Sequence, residues 1–305
     1  GHHLEVGQAR MGQLAVLQGA DSDPNALMIR ANNRDYVSAG VQASFGLRIG
    51  AAAAPRHNVE LGVRLHGDSE DRLQWEDGYA MNRGIMVRTS EGTPGSQQNR
   101  LGEARALAAH LQDEIRLGAW TLVPGARYES IEFTRTDWDR SDGGRMGASQ
   151  LRESSFSAFI PGLGASLAWS PWTTFFAGVP RGFGPPGPGA DEKTNVEESV
   201  NYEAGVRIRR TAFGANLTGF FSDYSNILGK ETLATGGTGT SDLYNGGAVH
   251  IVGAELAVDA DLSRYLGLPV GIPVHTAYTF NRATFRSSFE SSYKPWGTVV
   301  EGDHQ

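Results

Sequence analysis

Apolar and polar residues alternate strictly over one long stretch of this chain. In YVSAGVQASFGLRI (residues 36–49), every second residue from Val37 to Ile49 is apolar, and the residues between them are Ser, Gly, Gln and Arg. A period of two predicts an extended strand with one apolar and one polar face. At about 3.3 Å per residue the strand spans roughly 45 Å, far more than a usual strand of about five or six residues.

The same alternation recurs in HNVELGVRLHG (57–67), VNYEAGVRIRR (200–210) and IVGAELAVDADL (251–262). Period-two stretches of this kind predict about eleven strands along the chain. The predicted strands are 4–11, 36–50, 57–67, 103–117, 119–133, 153–169, 173–180, 197–210, 212–224, 248–262 and 273–285.

The connections between these strands alternate between long and short. The long ones are 12–35, 68–102, 134–152, 181–196, 225–247 and 286–305, and the short ones are 51–56, 118–119, 170–172, 210–211 and a longer 263–272. The long connections are rich in Gly, Ser, Thr, Asp and Asn, as in EGTPGSQQNR. This sorting is typical of an antiparallel transmembrane β-barrel, in which tight turns lie in the periplasm and long loops face outward.

Aromatic residues and the strand alternation predict how such a barrel sits in a membrane. Trp120, Trp169, Trp172 and Tyr265 lie at or beside the short connections, where a girdle at the membrane interface is expected. We predict that the apolar parity faces lipid and the polar parity faces the lumen. The residues predicted to face lipid are Leu61, Val63, Val206 and Ile208, and those predicted to face the lumen are Arg64, Glu203 and Arg207.

Composition excludes several other classes of protein. The chain has 305 residues, 40 of them Gly, a formal net charge of −7 and no Cys. The acidic balance and the lack of a basic stripe argue against a nucleic-acid partner. Without Cys there is neither a disulfide framework nor a thiolate zinc site. No run of 18 apolar residues predicts a transmembrane helix, and the first residues do not resemble a signal peptide.

No motif predicts catalysis, a metal centre or a bound cofactor, so the chain is not expected to be an enzyme. GFGPPGPG contains a G-x-G, but its prolines remove the helix-starting amides that a phosphate site needs. ADSDPN (20–25) has carboxylates at a calcium-like spacing but lacks the later Glu and the central Gly of an EF-hand loop. A solvated loop is the simpler interpretation of that segment.

One segment carries a family resemblance. FFAGVPRGFGPPGPGADEKTNVEESVNYEAGVR (175–207) resembles a strand, a G-F-x-P-P loop and an E-S-x-N-Y-E-x-G-x-R strand in the barrel of TonB-dependent outer-membrane receptors. FGANLTGFFSDYSNIL followed by YNGGAVHIVGAEL resembles the family's next hairpin. HNVELGVRLHGDSEDRLQWEDGY resembles an earlier strand and loop, most like the ferric-dicitrate branch of the family.

The resemblance implies an all-β fold, namely part of an antiparallel transmembrane β-barrel with about eleven of 22 strands. Residues 1–305 are then expected to be an internal portion of the receptor barrel, since no plug domain is recognisable in them. The expected location is the bacterial outer membrane, in contact with lipid and lipopolysaccharide.

The function that the resemblance implies is energy-coupled uptake of a ferric chelate, such as ferric citrate or a siderophore. The iron would be cargo within the chelate and not a cofactor, and a TonB-type energy-coupling protein would act through an N-terminal region. The alternatives are a passive porin-type channel and a surface-binding barrel that transports nothing. Because Arg binds carboxylates with two nitrogens and aromatic rings pack against organic groups, we expect ligand contacts from outer-loop residues. These candidates are Arg72, Trp75, Arg135, Trp138, Arg181, Phe183 and Tyr244.

The PRGFGPPGPG segment carries a prediction of its own. Pro180, Pro185, Pro186 and Pro188 fix φ and remove four amide donors. We therefore predict that this segment cannot extend the strand ladder and forms a semi-rigid arch at the barrel rim. That arch would carry Arg181 and Phe183.

Overall fold

The computed structural model describes residues 3–11, 18–20, 23–50, 55–187, 196–230, 243–245, 247–290 and 298–303. Its elements within these ranges, in chain order, are β1 (His3–Met11), β2 (Gln18–Ala20), β3 (Asp23–Ala31), β4 (Arg34–Ile49), β5 (Arg56–Asn82), β6 (Ile85–Ser90), β7 (Gln98–Leu117), β8 (Trp120–Trp138), β9 (Ser149–Ser170), β10 (Thr173–Gly184), β11 (Glu197–Arg210), β12 (Phe213–Asn226), β13 (Leu228–Lys230), β14 (Leu243–Asn245), β15 (Val249–Asp261), α1 (Leu262–Leu266), β16 (Pro273–Phe285), β17 (Phe289–Glu290) and β18 (Thr298–Val299).

One antiparallel sheet of fourteen strands dominates the fold. Its main path runs β1-β4-β5-β7-β8-β9-β10-β11-β12-β15-β16, so strands that follow one another along the chain lie side by side. These eleven strands correspond one to one with the eleven predicted strands, and the all-β antiparallel prediction is confirmed. β1 and β16 end the path, and each pairs on one side only within the described ranges.

Tight turns join the strands at one end of the sheet. Leu117 pairs with Trp120 across a turn in which Gly118 has φ of 62°, a conformation that glycine adopts without strain. Arg210 pairs with Phe213 across another two-residue turn. The connection between β15 and β16 is longer and contains α1, which the sequence pattern did not predict. We call this end of the sheet the short-turn end and the opposite end the outer end.

None of the helices in the described part of the chain has the length and apolar character needed to cross a bilayer.

Several strands extend further toward the outer end than predicted. β5 continues to Asn82 and β7 begins at Gln98, so the prediction of a loop over 68–102 was wrong for most of that range. β8 and β9 likewise extend into the predicted loop 134–152. Residues 68–82 are mostly polar and show no period of two, yet residues 68–72 pair with β4 and residues 68–74 pair with β7. Alternation detects a strand only where one of its faces is apolar.

The outer part of β5 also belongs to a smaller extension of the sheet. Residues 75–80 of β5 pair with β3, and residues 78–82 pair with β6. β2 pairs with β3 on the far side. The outer end therefore carries ordered strands in place of part of the predicted loops 12–35 and 68–102.

The strand registers gather the apolar residues on one face. Phe45 lies beside Leu61, which lies beside Leu111. On the other half of the sheet, Leu217 lies between Val206 and Leu256. We call this surface the apolar face. Its large exposed side chains include Val41, Phe45, Leu61, Val63, Leu65, Leu107, Leu111, Phe159, Leu163, Phe175, Leu217, Val252, Leu256, Tyr278 and Phe280.

The opposite surface, which we call the polar face, carries the alternate residues of the same strands. Arg64, Glu203 and Arg207 lie there and are exposed, as the alternation predicted. The guanidinium carbon of Arg207 lies 5.4 Å from the centre of the Phe176 ring. The predicted division into two faces is confirmed, including the placement of half-buried Val206 on the apolar face.

The girdle aromatics all lie at the short-turn end and are exposed. Trp120, Trp169, Trp172 and Tyr265 are each at least 45% exposed. Their neighbours are few: Trp169 meets Phe175 edge to face, and the Arg210 guanidinium lies 4.5 Å from the centre of the Trp172 ring. Exposed rings at one end of an apolar surface fit the predicted interface girdle.

The buried apolar core is small in the described part of the chain. One cluster joins Ala106, Ile131 and Phe133, and a second joins Val249, Phe285 and Val299. Most large apolar side chains lie on the exposed apolar face. A surface of this extent is expected to contact another apolar phase or partner, because monomers in water rarely expose so much.

The predicted arch at PRGFGPPGPG is wrong over its first half. β10 continues to Gly184, and its last residues pair with β11, with Arg181 opposite Val200. Pairing with β11 skips Val179 and Pro180 and then resumes in the same register. Pro180 lacks an amide, but one missing donor interrupts the ladder without ending it. Residues 185–187 have no regular structure, and residues 188–195 lie outside the described ranges.

Candidate functional site

The outer end of the sheet is polar on both faces. On the apolar face the change occurs at a row in which Ala39, Gly67, Arg105 and Glu132 lie side by side. Beyond this row, toward the outer end, charged and polar residues predominate on this face, although Val37 and Leu151 are apolar and exposed. The residues described next therefore lie outside the segment whose apolar face could meet a membrane.

Five arginines gather on the polar face at the outer end. The register aligns Arg34, Arg72 and Arg100 in one row that ends at Asp137. The next row aligns Tyr36, Glu70, Gly102, Arg135 and Arg152. We call Arg34, Arg72, Arg100, Arg135 and Arg152 the arginine wall. Within these two rows five guanidinium groups face only two carboxylates, although the whole chain is acidic.

Glu70 binds one half of the wall. Its Oε2 accepts a 2.7 Å ion pair from Arg72, and its Oε1 accepts bonds from Tyr36 Oη at 2.7 Å and Arg34 Nη1 at 3.3 Å. Burial alone would raise the pKa of Glu70, but the hydrogen bonds from Arg72 and Tyr36 and the charges of Arg72 and Arg34 lower it overall. Glu70 is therefore ionised at neutral pH.

Asp137 binds the other half. Arg135 donates to its Oδ1 from Nε at 2.9 Å and from Nη2 at 2.7 Å, and Arg152 donates to its Oδ2 at 2.7 Å. Burial would raise the pKa of Asp137, and the hydrogen bonds from Arg135 and Arg152 outweigh it and lower the pKa. Both acceptors in the wall are thus occupied by arginines other than Arg100.

Arg100 lies between these two groups and opposite Asp137 in the register, but its guanidinium forms no direct ion pair with a carboxylate of the described residues. Its side chain is 9% exposed, and it makes no hydrogen bond or ion pair there. Burial, followed by the positive charges of Arg72 and Arg135, lowers the pKa of Arg100 to about 10, and the negative charges of Glu70 and Asp137 offset only part of this. Neighbouring Arg72 is 6% exposed, and its Nε is buried without a hydrogen-bond partner among the described residues.

Buried guanidinium groups without partners are costly, because desolvation of the charge is not offset by hydrogen bonds. An oxyanion placed against Arg100 and Arg72 would supply the missing acceptors. Guanidinium groups match carboxylates and phosphates in shape and can donate two parallel hydrogen bonds. The wall is therefore suited to bind an anion.

A second polar cluster fixes the loop after β8. Arg145 donates to both oxygens of Asp71 at 2.8 and 2.5 Å and to Asn99 Oδ1 at 2.8 Å. Its guanidinium carbon also lies 4.5 Å from the centre of the Trp138 ring. Asn99 in turn donates to the carbonyl oxygens of Asp139 and Asp142 at 2.9 and 2.7 Å. Residues 139–147 are thereby held against β5 and β7.

Among the predicted ligand contacts, two lie in the wall and two lie near it. Arg72 and Arg135 belong to the arginine wall. Trp75 is half-buried in β5 opposite Ala31, and Trp138 packs against Arg145. All four lie in strands, so their predicted placement in loops was wrong, because the strands continue beyond the apolar region.

The other three predicted contacts lie elsewhere. Arg181 forms a 2.9 Å ion pair with Glu198, and Phe183 packs against the cluster of Ile131 and Phe133. Tyr244 lies in β14, and its side chain is outside the described part of the chain. The structure therefore does not bring all seven predicted residues to one place.

Arg181 borders a shallow cleft further down the polar face. This cleft has a volume of about 480 Å³, and its lining includes Gln112, Arg127, Gly162 and Glu203. Four glycines in its lining, Gly125, Gly162, Gly164 and Gly178, leave space between the larger side chains. The cleft and the arginine wall lie on the same face and could both contact contents of a lumen.

The seven predicted contacts do not include Arg100, nor Glu70 and Asp137, the two carboxylates of the wall. A usable signal was the run DSEDRLQWED (68–77), whose charge density is high for a surface loop. That run does not identify its partners in β7 and β8. Only the register shows that Arg100 faces Arg72.

Comparison with known proteins gives a consistent result. The profile of the family described as TonB dependent receptor-like, beta-barrel, matches residues 11–302. No curated protein matches the chain.

Three solved structures illustrate the similarity of fold. The ferric citrate transporter FecA, in its unliganded form, is 18% identical with a TM-score of 0.66, and the match covers 98% of this chain and 40% of FecA. The siderophore receptor PiuA from Acinetobacter baumannii is 11% identical with a TM-score of 0.64, covering 92% and 43%. The ferripyoverdine receptor of the Pseudomonas aeruginosa outer membrane is 14% identical with a TM-score of 0.63, covering 100% and 38%. At such identities the likeness shows a shared fold, and the chain spans about 40% of the length of these proteins.

Proposed function

This chain belongs to the TonB-dependent receptor β-barrel family, and we propose that it forms part of an outer-membrane receptor that takes up a ferric chelate. The observation that carries the proposal is the arginine wall, in which Arg100 is buried between Arg72 and Arg135 and makes no direct ion pair with a described carboxylate. The chelate class that fits is one with several carboxylates, such as ferric citrate.

The apolar face supports a location in the bacterial outer membrane. Rows of exposed Leu, Val and Phe side chains run across β4 to β16, with exposed aromatic rings at the short-turn end. A lipid-facing apolar band flanked by aromatic residues is the pattern of outer-membrane barrels. In this arrangement the outer end, with the arginine wall, faces the outside of the cell, where it would contact lipopolysaccharide at its rim.

The charge of the wall supports the choice of an anionic chelate. A surplus of three positive charges lies within the two rows of the arginine wall, in a chain whose formal net charge is −7. Carboxylates of a bound chelate would pair with Arg100 and Arg72, which are neighbours on the polar face. FecA, one of the structural relatives, is described as a ferric citrate transporter.

We further propose that residues 1–305 are a portion of a longer receptor barrel with a plug. The match to about 40% of each structural relative supports this division. A TonB-type energy-coupling protein would then supply the work of release through the N-terminal region. Neither a nucleic-acid partner nor a catalytic reaction is part of this proposal, and iron enters only as cargo.

Binding of ferric citrate by the full-length receptor in detergent tests the proposal. The Arg100→Gln replacement removes one positive charge and the two parallel N–H donors of a guanidinium group. The expected loss of binding free energy is about 1.5–3 kcal/mol, or roughly ten- to a hundredfold in affinity. Arg105→Gln is the matched control, because Arg105 lies on the same strand, is exposed and points to the opposite face. Its affinity for ferric citrate should stay within about twofold of the wild type.

Two results would contradict the proposal. Equal affinity of the wild type and Arg100→Gln, in receptors that fold alike, would remove the wall as the ligand site. Uptake of ferric citrate in cells whose inner membrane is de-energised would favour the passive channel over the energy-coupled receptor.

A further inference from the structure

The connection between β15 and β16 differs from the other turns at the short-turn end. The turns between β7 and β8 and between β11 and β12 each contain two residues, whereas this connection runs from Leu262 to Ile272 and contains α1. Six of its apolar side chains are between 37% and 69% exposed. They are Leu262, Tyr265, Leu266, Leu268, Val270 and Ile272.

The connection holds these side chains in a fixed arrangement. Asp261 Oδ1 accepts hydrogen bonds from Ser263 N at 3.1 Å, Ser263 Oγ at 2.5 Å and Ile272 N at 3.3 Å. Leu262 N donates to Ile272 O at 2.9 Å and closes the base of the connection. Gly267, with φ of 65°, ends the helix, and Leu268 N donates back to Ser263 O at 2.9 Å. The apolar side chains are therefore displayed by an ordered structure.

The surroundings indicate what covers them. β15 and β16 carry Leu256, Val274, Tyr278 and Phe280 on the apolar face, each at least 37% exposed, so the apolar surface continues from the strands into the connection. Within residues 262–272 the only charged side chain is Arg264. Its Nε lies 3.5 Å from Asp261 Oδ2, and the side chain is 56% exposed.

This combination suits the boundary between lipid tails and headgroups. Tyr is favoured there because its ring is apolar and its hydroxyl is polar, and Arg can extend to lipid phosphates. Amphipathic segments with a cationic residue lie in this plane with their apolar side chains among the acyl chains. A soluble turn would gain nothing from six exposed apolar side chains.

We propose that residues 262–272 form an interfacial anchor, which lies in the headgroup region of the membrane leaflet at the short-turn end. The partner is the phospholipid surface itself, with the apolar side chains entering the acyl region and Arg264 near the phosphates. The inference rests on the proposed membrane location of the apolar face and adds a contact that the strands do not make.

Spin labels can test the anchor, because residues 1–305 contain no Cys and any Cys elsewhere in the full-length receptor can be replaced by Ser. The full-length receptor is placed in nanodiscs of phosphatidylethanolamine and phosphatidylglycerol and labelled at Val270→Cys. The two reference sites are Leu256→Cys on the apolar face and Thr211→Cys in a two-residue turn at the same end. The measurement is the ratio of collision rates with oxygen, which concentrates in lipid, and with a water-soluble nickel complex.

The label at Val270 should favour oxygen over nickel severalfold relative to the label at Thr211, and should approach the label at Leu256. A label at Val270 that matches Thr211, or that is shielded from both reagents by protein, would overturn the anchor while Leu256 remains in lipid. A label at Leu256 that favours nickel would instead overturn the membrane placement of the apolar face, and the anchor with it. The binding of ferric citrate tests the proposed function separately from either result.

Discussion

The orientation of the apolar face can be tested by introducing a charge at Leu217. This side chain is 47% exposed and lies between Val206 and Leu256 in the strand register. Leu217 is four residues from the start of β12 at the short-turn end. At about 3.3 Å per residue and a tilt of about 45°, it lies roughly 9 Å from that end of an apolar band about 25 Å tall, and so close to its midplane.

Arginine on the lipid face costs about 2–4 kcal/mol at the midplane and about 0–1 kcal/mol at the interface. For Leu217→Arg we expect a loss of about 2–3 kcal/mol in the free energy of unfolding. The assay is denaturant unfolding of the full-length receptor in lipid vesicles, with the midpoint and slope compared between variants. Thr218→Arg is the control, since this neighbouring residue lies on the polar face opposite Glu255. The control should lose less than about 1 kcal/mol. Equal losses in the two variants would refute the assignment of the faces.

Two further predictions concern the polar clusters at the outer end. Arg145→Ala should release residues 139–147 from β5 and β7, at a local cost of about 1–2 kcal/mol because the bond to Asp71 is partly exposed to solvent. Faster hydrogen exchange of the amides in this loop would show the release. The control Arg140→Ala changes an exposed residue of the same loop and should leave the exchange rates unchanged. For pH, Glu70 and Asp137 have lowered pKa values in the folded state, so their contribution to stability is complete above the ordinary carboxylate pKa of about 4 and is lost as the pH falls through the lowered values. The denaturant midpoint of unfolding should therefore change little between pH 7 and 5 and should decrease once the pH is below about 4. The decrease should be smaller in Glu70→Gln. An equal decrease in that variant would contradict the contribution of Glu70 to the pH dependence.

The strands crossing the apolar region were predictable because each has one apolar and one polar face. Pairing could also be derived wherever a tight turn sets the register. Once Leu117 is opposite Trp120, counting along both strands places Arg100 opposite Asp137, as the structure shows. A two-residue turn thus fixes contacts that lie many residues away from it.

The rest of the wall could not be derived in this way. Arg72 and Arg100 are neighbours across β5 and β7, whose connection at the outer end is long and includes β6. A long connection does not specify a register, so no count of residues from it places Arg72 beside Arg100. The outer halves of the strands were missed for a related reason. Where water meets both faces, polar residues fill both parities and the period of two disappears.

The arginine wall also implies opposite effects on stability and on binding. Without ligand, Arg100 faces Arg72 on one side of the ladder and Asp137 on the other, and the carboxylates of Glu70 and Asp137 offset only part of its desolvation and its repulsion from Arg72 and Arg135. Bound carboxylates would remove this cost, so part of the affinity comes from relief of repulsion that is already present in the empty receptor. The Arg100→Gln receptor should consequently unfold at an equal or higher denaturant concentration than the wild type while binding ferric citrate more weakly. A residue retained only for structure would lose stability on the same replacement, so the sign of the shift separates the two roles.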